Sequence, residues 1–283
     1  MTTRDLFTFS DREAAPSIPA MVVKVACRTA LSPSRLPGLD YSLNPYEGCE
    51  HGCVYCYAPY VLRREPSTWG SWVKARANLP GLLARELGRK SGVIGLGTVT
   101  DPYQPVEAEM RLTERCLREI VRRDAPLSVL TKSDLVVRDA GLISKLSRGE
   151  VGITITTVVD DLASAFEPRA PCPSRRIEAL RRLNSEGVET FALIGPMIPG
   201  VTDRNLEDLL ARIASAGTGR IMLDRLRLRP GMAEKIRSLP LLSDSKFKER
   251  FEEAIASTSY ATAVEACIRE IGKAEGLSVV SAF

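Results

Sequence analysis

Six short apolar runs alternate with amphipathic stretches between Tyr41 and Leu226, and this alternation constrains the fold more than any other feature. Several runs are rich in β-branched residues and apolar enough to be buried on both faces, which is typical of parallel strands. Strands that alternate with helices favour a parallel sheet with right-handed crossovers. The predicted strands are residues 41–43, 93–99, 127–131, 151–158, 189–194 and 220–226.

The amphipathic stretches predict the helices that connect these strands. They lie at about residues 79–90, 112–123, 138–146, 173–185 and 205–215. Six strand and helix units fall short of the eight that close a full barrel. We therefore predict an α/β fold, an open partial (β/α)6 barrel, with its chemistry at the C-terminal ends of the strands.

The chain divides into three predicted parts. Residues 1–40 are rich in Pro and Ser and predict an irregular lead-in, with one short strand at 21–27. Residues 41–228 form the barrel, and residues 229–283 form a helical C-terminal extension with its main helical pattern at about 243–273.

Composition places the chain among globular proteins. Of its 283 residues, 44% are hydrophobic and 26% are charged, and the net charge is only +4. No run approaches the 18 apolar residues of a membrane span, and the first residues lack a basic region followed by an apolar one. We expect a cytoplasmic protein without a membrane partner.

The segment NPYEGCEHGCVYCYAPY, residues 44–60, contains three of the seven cysteines and the only histidine. Cys49, Cys53 and Cys56 follow the first strand on one loop, where Gly48 and Gly52 permit a tight backbone. The other cysteines are scattered, and the total is odd, so reduced thiols with one metal site fit better than disulfides.

Two metal centres compete for this loop. A structural zinc needs four ligands and would have to recruit His51 or a distant cysteine. A [4Fe-4S] cluster held by three thiolates instead leaves one iron open for a small-molecule chelate. Zinc sites often present two CxxC units and this chain has no second one, which favours the cluster while leaving zinc as an alternative.

The CxxxCxxC loop after the first strand resembles the radical S-adenosylmethionine (radical SAM) superfamily. The form CxxxCxYCY, with Tyr55 and Tyr57 beside Cys56, is similar to its spore photoproduct lyase branch. The similarity spans about residues 41–224 through NPYEGCEHGCVYCYA, GTVTDPYQPVE, LTKSDLVVRD, ITTVVDD, FEPRAP and PMIPGVTD.

The resemblance implies two cofactors, a [4Fe-4S] cluster on Cys49, Cys53 and Cys56, and S-adenosylmethionine (SAM) chelated to the open iron. Reductive cleavage of SAM would give a 5′-deoxyadenosyl radical that abstracts a hydrogen atom, with the protein supplying placement. The residues that it implies for SAM binding are Tyr55 and Ile198 at the adenine, Thr98, Thr100 and Asp101 at the amino group, Lys132 at the carboxylate, and Thr154 and Thr156 at the ribose or carboxylate.

Three polar side chains near these motifs each have two alternative roles. His51 lies between two cluster cysteines, which favours support of the loop over general-base chemistry. Glu167 and Arg169, in FEPRAP, either contact SAM or substrate or pair with each other.

The resemblance to the lyase has a limit. The lyase returns a hydrogen atom to its product from a cysteine near the second strand, and residues 97–107 contain no cysteine. Cys116, the next along the chain, falls in a predicted helix. Tyr57, Tyr60 or Tyr103 could replace that cysteine as the hydrogen donor, and Tyr57 and Tyr103 are the candidates we keep.

The expected partners follow from the same resemblance. They are a one-electron donor resembling flavodoxin or ferredoxin, and a nucleobase or nucleic-acid-type substrate held through Arg225, Arg227 and Arg229. These arginines lie in a basic segment, residues 220–250, with nine Lys or Arg against four Asp or Glu. Two alternatives stay open: a radical SAM enzyme acting on a protein, peptide or small metabolite, and a zinc-stabilised interaction protein without enzymatic activity.

Overall fold

The computed structural model describes residues 20–257 and 259–282. Residues 1–19 of the predicted lead-in, residues 1–40, therefore lie outside the described residues. The strands are β1 (Met21–Val25), β2 (Leu31–Pro33), β3 (Tyr41–Leu43), β4 (Tyr46–Glu47), β5 (Trp72–Arg76), β6 (Ile94–Leu96), β7 (Leu127–Thr131), β8 (Gly149–Thr154), β9 (Glu189–Met197), β10 (Arg220–Arg225) and β11 (Ser278–Ser281).

The α-helices are α1 (Ala58–Val61), α2 (Leu79–Glu86), α3 (Glu107–Met110), α4 (Leu112–Arg123), α5 (Ala140–Ile143), α6 (Asp160–Phe166), α7 (Pro173–Ser185), α8 (Leu206–Ser215), α9 (Met232–Arg237), α10 (Ser245–Ala256) and α11 (Ser259–Ala274). Short 3-10 helices cover Pro66–Thr68, Asp134–Asp139 and Pro240–Ser243.

The main sheet has eight strands in the order β11-β10-β9-β8-β7-β6-β3-β2. All neighbours are parallel except β2 and β3, which pair antiparallel. The six predicted strands, β3 and β6 to β10, are therefore adjacent and follow chain order, which confirms the predicted α/β architecture. The sheet is open, because β2 and β11 occupy its two ends.

Burial explains why these sequences form strands. β6 is buried along its whole length, and β9 exposes only its first residue fully, as expected of strands covered on both faces. Helix α4 buries Cys116, Leu117 and Ile120, and α7 buries Ile177, Leu180 and Leu183, in each case at helical spacing. These side chains join the strands in one large apolar core.

A second, three-stranded sheet, with the order β1-β5-β4, was not predicted apart from the short strand near residues 21–27. β5 pairs parallel with β1 and antiparallel with β4. Because β4 contains only two residues, no hydrophobic period could reveal it. The sheet matters for the site, since the cysteine loop runs from β4 to α1.

Several predicted boundaries shift. The strand expected at residues 93–99 is Ile94–Leu96, and the helix expected to reach residue 90 ends at Glu86. The helix expected at residues 138–146 becomes the 3-10 helix Asp134–Asp139 followed by α5, and Ser133 Oγ starts the tight turn by accepting the Leu135 N–H at 3.3 Å. The strand expected to reach residue 158 ends at Thr154. Asp160 and Asp161 then begin α6, where carboxylates suit the positive end of a helix.

The C-terminal segment is helical through α9, α10 and α11 and then adds β11, which pairs parallel with β10. The sequence had indicated only an apolar tail there. None of the helices in the part of the chain that the structure describes has the length and hydrophobicity needed to span a bilayer.

Candidate active site

A cavity of about 330 Å³ opens at the C-terminal ends of the parallel strands. The cysteine loop forms one wall, and the segments that follow β6, β7, β8 and β10 form the others. Of the residues predicted from the sequence, those that line the cavity are Cys49, Cys53, Tyr55, Cys56, Tyr57, Thr98, Thr100, Asp101, Lys132, Thr154, Arg225, Arg227 and Arg229.

The backbone of the cysteine loop is tightly packed. Gly48 has a φ of +91°, and a Cβ there would lie 2.4 Å from the Trp72 carbonyl oxygen. Gly52, with a φ of +61°, would place a Cβ 2.9 Å from Arg169 Nη2. Both positions therefore require glycine. Further along, the Val54 N–H donates to the Phe166 carbonyl at 2.9 Å, which joins the loop to α6.

The segment after β6 also holds the cysteine loop through hydrogen bonds. Gln104 Oε1 accepts the Glu50 N–H at 2.9 Å, and Glu50 Oε2 accepts the Val106 N–H at 2.6 Å. The Thr100 hydroxyl donates to the Gly48 carbonyl at 2.5 Å. The GTVTDPYQPVE motif, which contains Thr100, Gln104 and Val106, therefore holds the cysteine loop directly.

The three thiols are held in a buried environment. Burial raises the pKa of Cys49 well above its usual range and that of Cys53 to about 12, although the Lys132 charge opposes the shift at Cys53. Burial likewise raises the pKa of Cys56. Three buried thiolates therefore need a strongly cationic centre for charge compensation, and three cysteines around one cavity are a suitable donor set for an iron–sulfur cluster.

A single metal ion fits less well. Within residues 20–257 and 259–282, no three His, Cys, Asp or Glu side chains are arranged to hold one ion. Zinc requires its ligands to converge on one atom, whereas an iron–sulfur cluster receives each thiolate on a different iron. His51, the suggested fourth zinc ligand, instead has its Nδ1 at 3.3 Å from Asp101 Oδ2.

Asp101 organises two strand ends. Its carboxylate accepts the Thr131 hydroxyl at 2.6 Å and the Lys132 N–H at 2.8 Å, in addition to its contact with His51. Burial raises its pKa, but His51 and these hydrogen bonds outweigh burial and lower it to about 2. Both carboxylate oxygens are thus engaged within the protein, so Asp101 positions the site.

Tyr55 forms a rigid wall of the cavity. Lys132 Nζ lies 5.5 Å from the centre of its ring. The Tyr55 hydroxyl donates to Glu167, which pairs with Arg176, and both charged side chains are almost fully buried. Arg176 Nη1 in turn donates to the Thr154 carbonyl at 3.0 Å, which links this wall to the end of β8.

The suggested Glu167–Arg169 pair is not present. Glu167 pairs with Arg176, and Arg169 instead donates to the Gly70 carbonyl. The fold explains this pairing, because α7 places Arg176 beside Glu167.

Three predicted site residues do not line the cavity. Tyr103 is fully buried, and its hydroxyl donates to Asp139 Oδ2 at 3.1 Å. Thr156 is buried beyond the end of β8, where the chain has left the sheet. Ile198 packs in an apolar cluster with Cys53 and Tyr55, so it supports the wall from outside the cavity. Tyr60, considered as a further donor, donates to the Pro230 carbonyl at 2.9 Å.

The three arginines that line the cavity follow or end β10, and two of them form ion pairs. Arg225 pairs with Glu265 at 3.0 Å, and Arg227 pairs with Asp224 at 2.9 Å. Asp224 lines the cavity too, and burial raises its pKa although Arg227 works in the other direction.

Asp224 and Trp69 are among the cavity residues that sequence reasoning missed. The position of Asp224 in the last predicted strand, near its C-terminal end, could have revealed it. Trp69 lies between motifs and left no signal.

Comparison with known proteins agrees with this geometry. Residues 43–213 match the Radical SAM superfamily. An uncharacterized protein of Methanocaldococcus jannaschii is 39% identical over 183 residues, which cover 64% of this chain and 70% of that protein. An uncharacterized protein of Mycobacterium tuberculosis is 31% identical over 222 residues, which cover 73% of this chain and 65% of that protein.

Solved structures show the same fold at low identity. Spore photoproduct lyase complexed with dinucleoside spore photoproduct superposes with a TM-score of 0.69 at 16% identity, covering 93% of this chain and 82% of that chain. Streptococcus suis SuiB bound to S-adenosylmethionine has a TM-score of 0.54 at 13% identity, covering 94% of this chain and 51% of that chain.

The superfamily match covers more than half of the chain, and its members use a [4Fe-4S] cluster and SAM. This membership overturns the alternative of a non-enzymatic zinc protein. The chain belongs to the radical SAM superfamily and is an enzyme with the fold of spore photoproduct lyase.

Proposed function

We propose that this radical SAM enzyme abstracts a hydrogen atom from a nucleobase or nucleic-acid-type substrate. The observation that carries the proposal is that Arg225, Arg227 and Arg229 line the same cavity as the three cysteines. Guanidinium groups bind phosphate oxygens in a bidentate manner. The solved lyase complex contains a dinucleoside, which supports a related substrate class.

Cys49, Cys53 and Cys56 are the proposed cluster ligands, and they leave one iron open for SAM. These residues would hold a cluster that would supply one-electron reduction of SAM, with methionine and a 5′-deoxyadenosyl radical as the products and hydrogen abstraction as the use of that radical. Lys132 is the proposed partner of the SAM carboxylate, and Tyr55 is the proposed contact of the adenine. We propose a flavodoxin- or ferredoxin-like protein as the electron donor.

The threonines of the cavity have proposed roles of two kinds. Thr98 and Thr154 line the cavity and are proposed contacts of the SAM amino and carboxylate groups. Thr100 lines it too, but its hydroxyl is used to hold the Gly48 carbonyl. Thr100 and Asp101 are therefore proposed to position the cysteine loop and the end of β7, rather than to recognise SAM through free side-chain groups.

Anaerobic reconstitution tests the cofactor assignment. The wild-type protein should take up about four irons and four sulfides and form 5′-deoxyadenosine from SAM under reduction. Changing any one of Cys49, Cys53 or Cys56 to Ala should abolish both, while Cys267→Ala, an exposed control, should not. Normal iron uptake by the three variants would disprove these ligands.

Nucleic-acid binding tests the substrate class. Changing Arg225, Arg227 and Arg229 together to Gln should weaken binding of single-stranded DNA and reduce its salt dependence, because phosphate contacts release counterions. Arg123→Gln, at an exposed residue of α4 that does not line the cavity, should change neither. Unchanged DNA and RNA affinity in the triple variant would favour the protein, peptide or metabolite alternative.

Isotope transfer tests hydrogen abstraction itself. With deuterated DNA or RNA as the substrate, 5′-deoxyadenosine from the wild-type enzyme should contain deuterium. If deuterium is absent from 5′-deoxyadenosine with every deuterated nucleic acid, the proposed substrate class is wrong.

A further inference from the structure

Trp69 lies against the cysteine loop although it is distant from it in the sequence. It follows the 3-10 helix Pro66–Thr68 and precedes Gly70, whose φ is +101°. A Cβ at Gly70 would lie 3.0 Å from the Gly52 Cα, so the two backbones are in direct contact. Arg169 holds this turn by donating to the Gly70 carbonyl. The indole is therefore fixed in position relative to the loop.

The indole N–H of Trp69 has no hydrogen-bond partner among the described residues. The side chain is only 6% exposed and packs in a cluster with Cys49 and Cys56. A buried donor without an acceptor is unfavourable, because it has lost its hydrogen bond to water and gained none. An acceptor supplied by the assembled site would remove this cost.

The indole of the neighbouring Trp72 differs from that of Trp69 because its N–H has an acceptor. Trp72 packs edge-on against Trp69, with ring centres 5.8 Å apart, and its N–H donates to the Thr68 hydroxyl at 3.2 Å. The chain has only these two tryptophans. The Trp72 N–H therefore has an acceptor in the protein, whereas the N–H of Trp69, which packs against Cys49 and Cys56, has none among the described residues.

The sulfur of Cys56 is the acceptor that this arrangement provides. Cys56 packs in the same apolar cluster as Trp69, both side chains line the cavity, and Trp69 is the side-chain donor beside the Cys56 sulfur. An ionised sulfur accepts a hydrogen bond more strongly than a thiol.

We propose that Trp69 donates its Nε1–H to the Cys56 thiolate in the cluster-loaded enzyme and thereby raises the reduction potential of the cluster. This inference rests on the proposed role of Cys56 as an iron ligand. A donor near a ligand sulfur stabilises the reduced cluster, which is the more negative form, more than the oxidised cluster. Trp69 is thus a positioning residue that acts through Cys56.

Redox titration followed by electron paramagnetic resonance tests the proposal without measuring activity. Trp69→Phe should keep its iron content but shift the midpoint potential to more negative values. Trp72→Phe, the matched control, should leave the potential unchanged because its N–H bonds to Thr68. An unchanged potential in Trp69→Phe, or an equal shift in both variants, would overturn the inference while leaving the proposed function intact.

A second replacement tests the same inference if Trp69→Phe does not fold. In a Trp72→Phe background Trp69 is the only tryptophan, so biosynthetic substitution with 3-benzothienylalanine removes its N–H and keeps its shape. The potential should fall as in Trp69→Phe, and an unchanged potential would again overturn the inference. Failure of the wild-type protein to take up iron would instead refute the proposed function, and this inference with it.

Discussion

Tyr57 and Tyr103 carry the same hydroxyl group, yet the fold gives them different surroundings. The Tyr57 ring is 44% exposed and lines the cavity, while its hydroxyl turns inward to the Thr98 carbonyl. Burial of that hydroxyl, with the nearby Cys56 and Asp224, raises the pKa of Tyr57 to about 12. Tyr57 thus keeps its hydrogen at neutral pH, and we propose it as the donor to the product radical.

Tyr57→Phe should separate the two halves of the reaction. We expect 5′-deoxyadenosine to form, with deuterium from a deuterated substrate, while the final product decreases by roughly tenfold or more, equivalent to about 1.4 kcal/mol of barrier. Chromatography of both products measures the ratio. Tyr103→Phe, the control, should leave the ratio unchanged and instead lower stability by about 1 kcal/mol, because Asp139 loses one of its donors while Arg138 keeps donating to it. Normal product yield from Tyr57→Phe would contradict the assignment.

The buried Glu167–Arg176 pair should contribute far more to stability than a surface pair. Removing one partner of a buried ion pair leaves a charge without compensation. We expect Glu167→Gln to lower the free energy of unfolding by about 3 kcal/mol in urea titrations. Glu178→Gln, which breaks a pair with the half-exposed Arg181, should cost less than about 1 kcal/mol. Equal losses would show that Glu167 is not a buried anchor.

At the scale of elements, α11 joins the last two strands of the sheet. Its Glu265 accepts hydrogen bonds from Ser281 in β11 at 2.8 Å, from Arg269 at 2.8 Å and from Arg225 in β10 at 3.0 Å. The Arg269 and Ser281 contacts, with Arg225, lower the pKa of Glu265 to about 2. One carboxylate therefore connects a cavity arginine to the edge strand.

This connection should weaken in acid. The pKa of Glu265 is depressed on folding, so its stabilising effect is fully present above the unfolded pKa of about 4.3 and is lost as pH falls towards 2. Glu265→Gln should lower the thermal midpoint at pH 7. The difference in thermal midpoint between Glu265→Gln and the wild type should become smaller as the pH falls from about 4.3 to 2. Differential scanning calorimetry measures both, and a gap that stays constant with pH would contradict the predicted ionisation.

Long, strongly periodic elements could be predicted well from the sequence. The bounds of α4 and α7 match the predicted helices at residues 112–123 and 173–185, because each has a regular apolar face. β4 and α6 could not be predicted. β4 is too short for a hydrophobic period, and α6 has only 7 residues, which is too few for a clear helical period.

At the scale of the whole molecule, the C-terminal extension packs against the cysteine loop. Phe247 and Phe251 of α10 are buried in one apolar cluster with Cys53, Tyr55 and Ile198. We keep the division into residues 1–40, 41–228 and 229–283 as a proposal about sequence organisation. We also propose that the barrel and the extension unfold as one cooperative unit.

Phe251→Ala should therefore destabilise the protein far beyond α10. Loss of a fully buried ring should cost about 3–5 kcal/mol and shift the single unfolding transition to lower denaturant. Tryptophan fluorescence reports only on Trp69 and Trp72, near the cysteine loop, while circular dichroism reports on all helices. Coincident midpoints from the two signals would support cooperative unfolding, and separate midpoints would contradict it.

The sequence by itself determined the six parallel strands of the partial barrel and the cysteine loop, because hydrophobic periodicity and local spacing are properties of neighbouring residues. Only the tertiary structure decided which polar side chains share the cavity. It brings Asp224 and Trp69 to the cavity, and it leaves Tyr103, Thr156 and Ile198 outside it. Pairings such as Glu167 with Arg176 depend on how helices pack across the sheet, and such contacts leave no periodic trace in the chain.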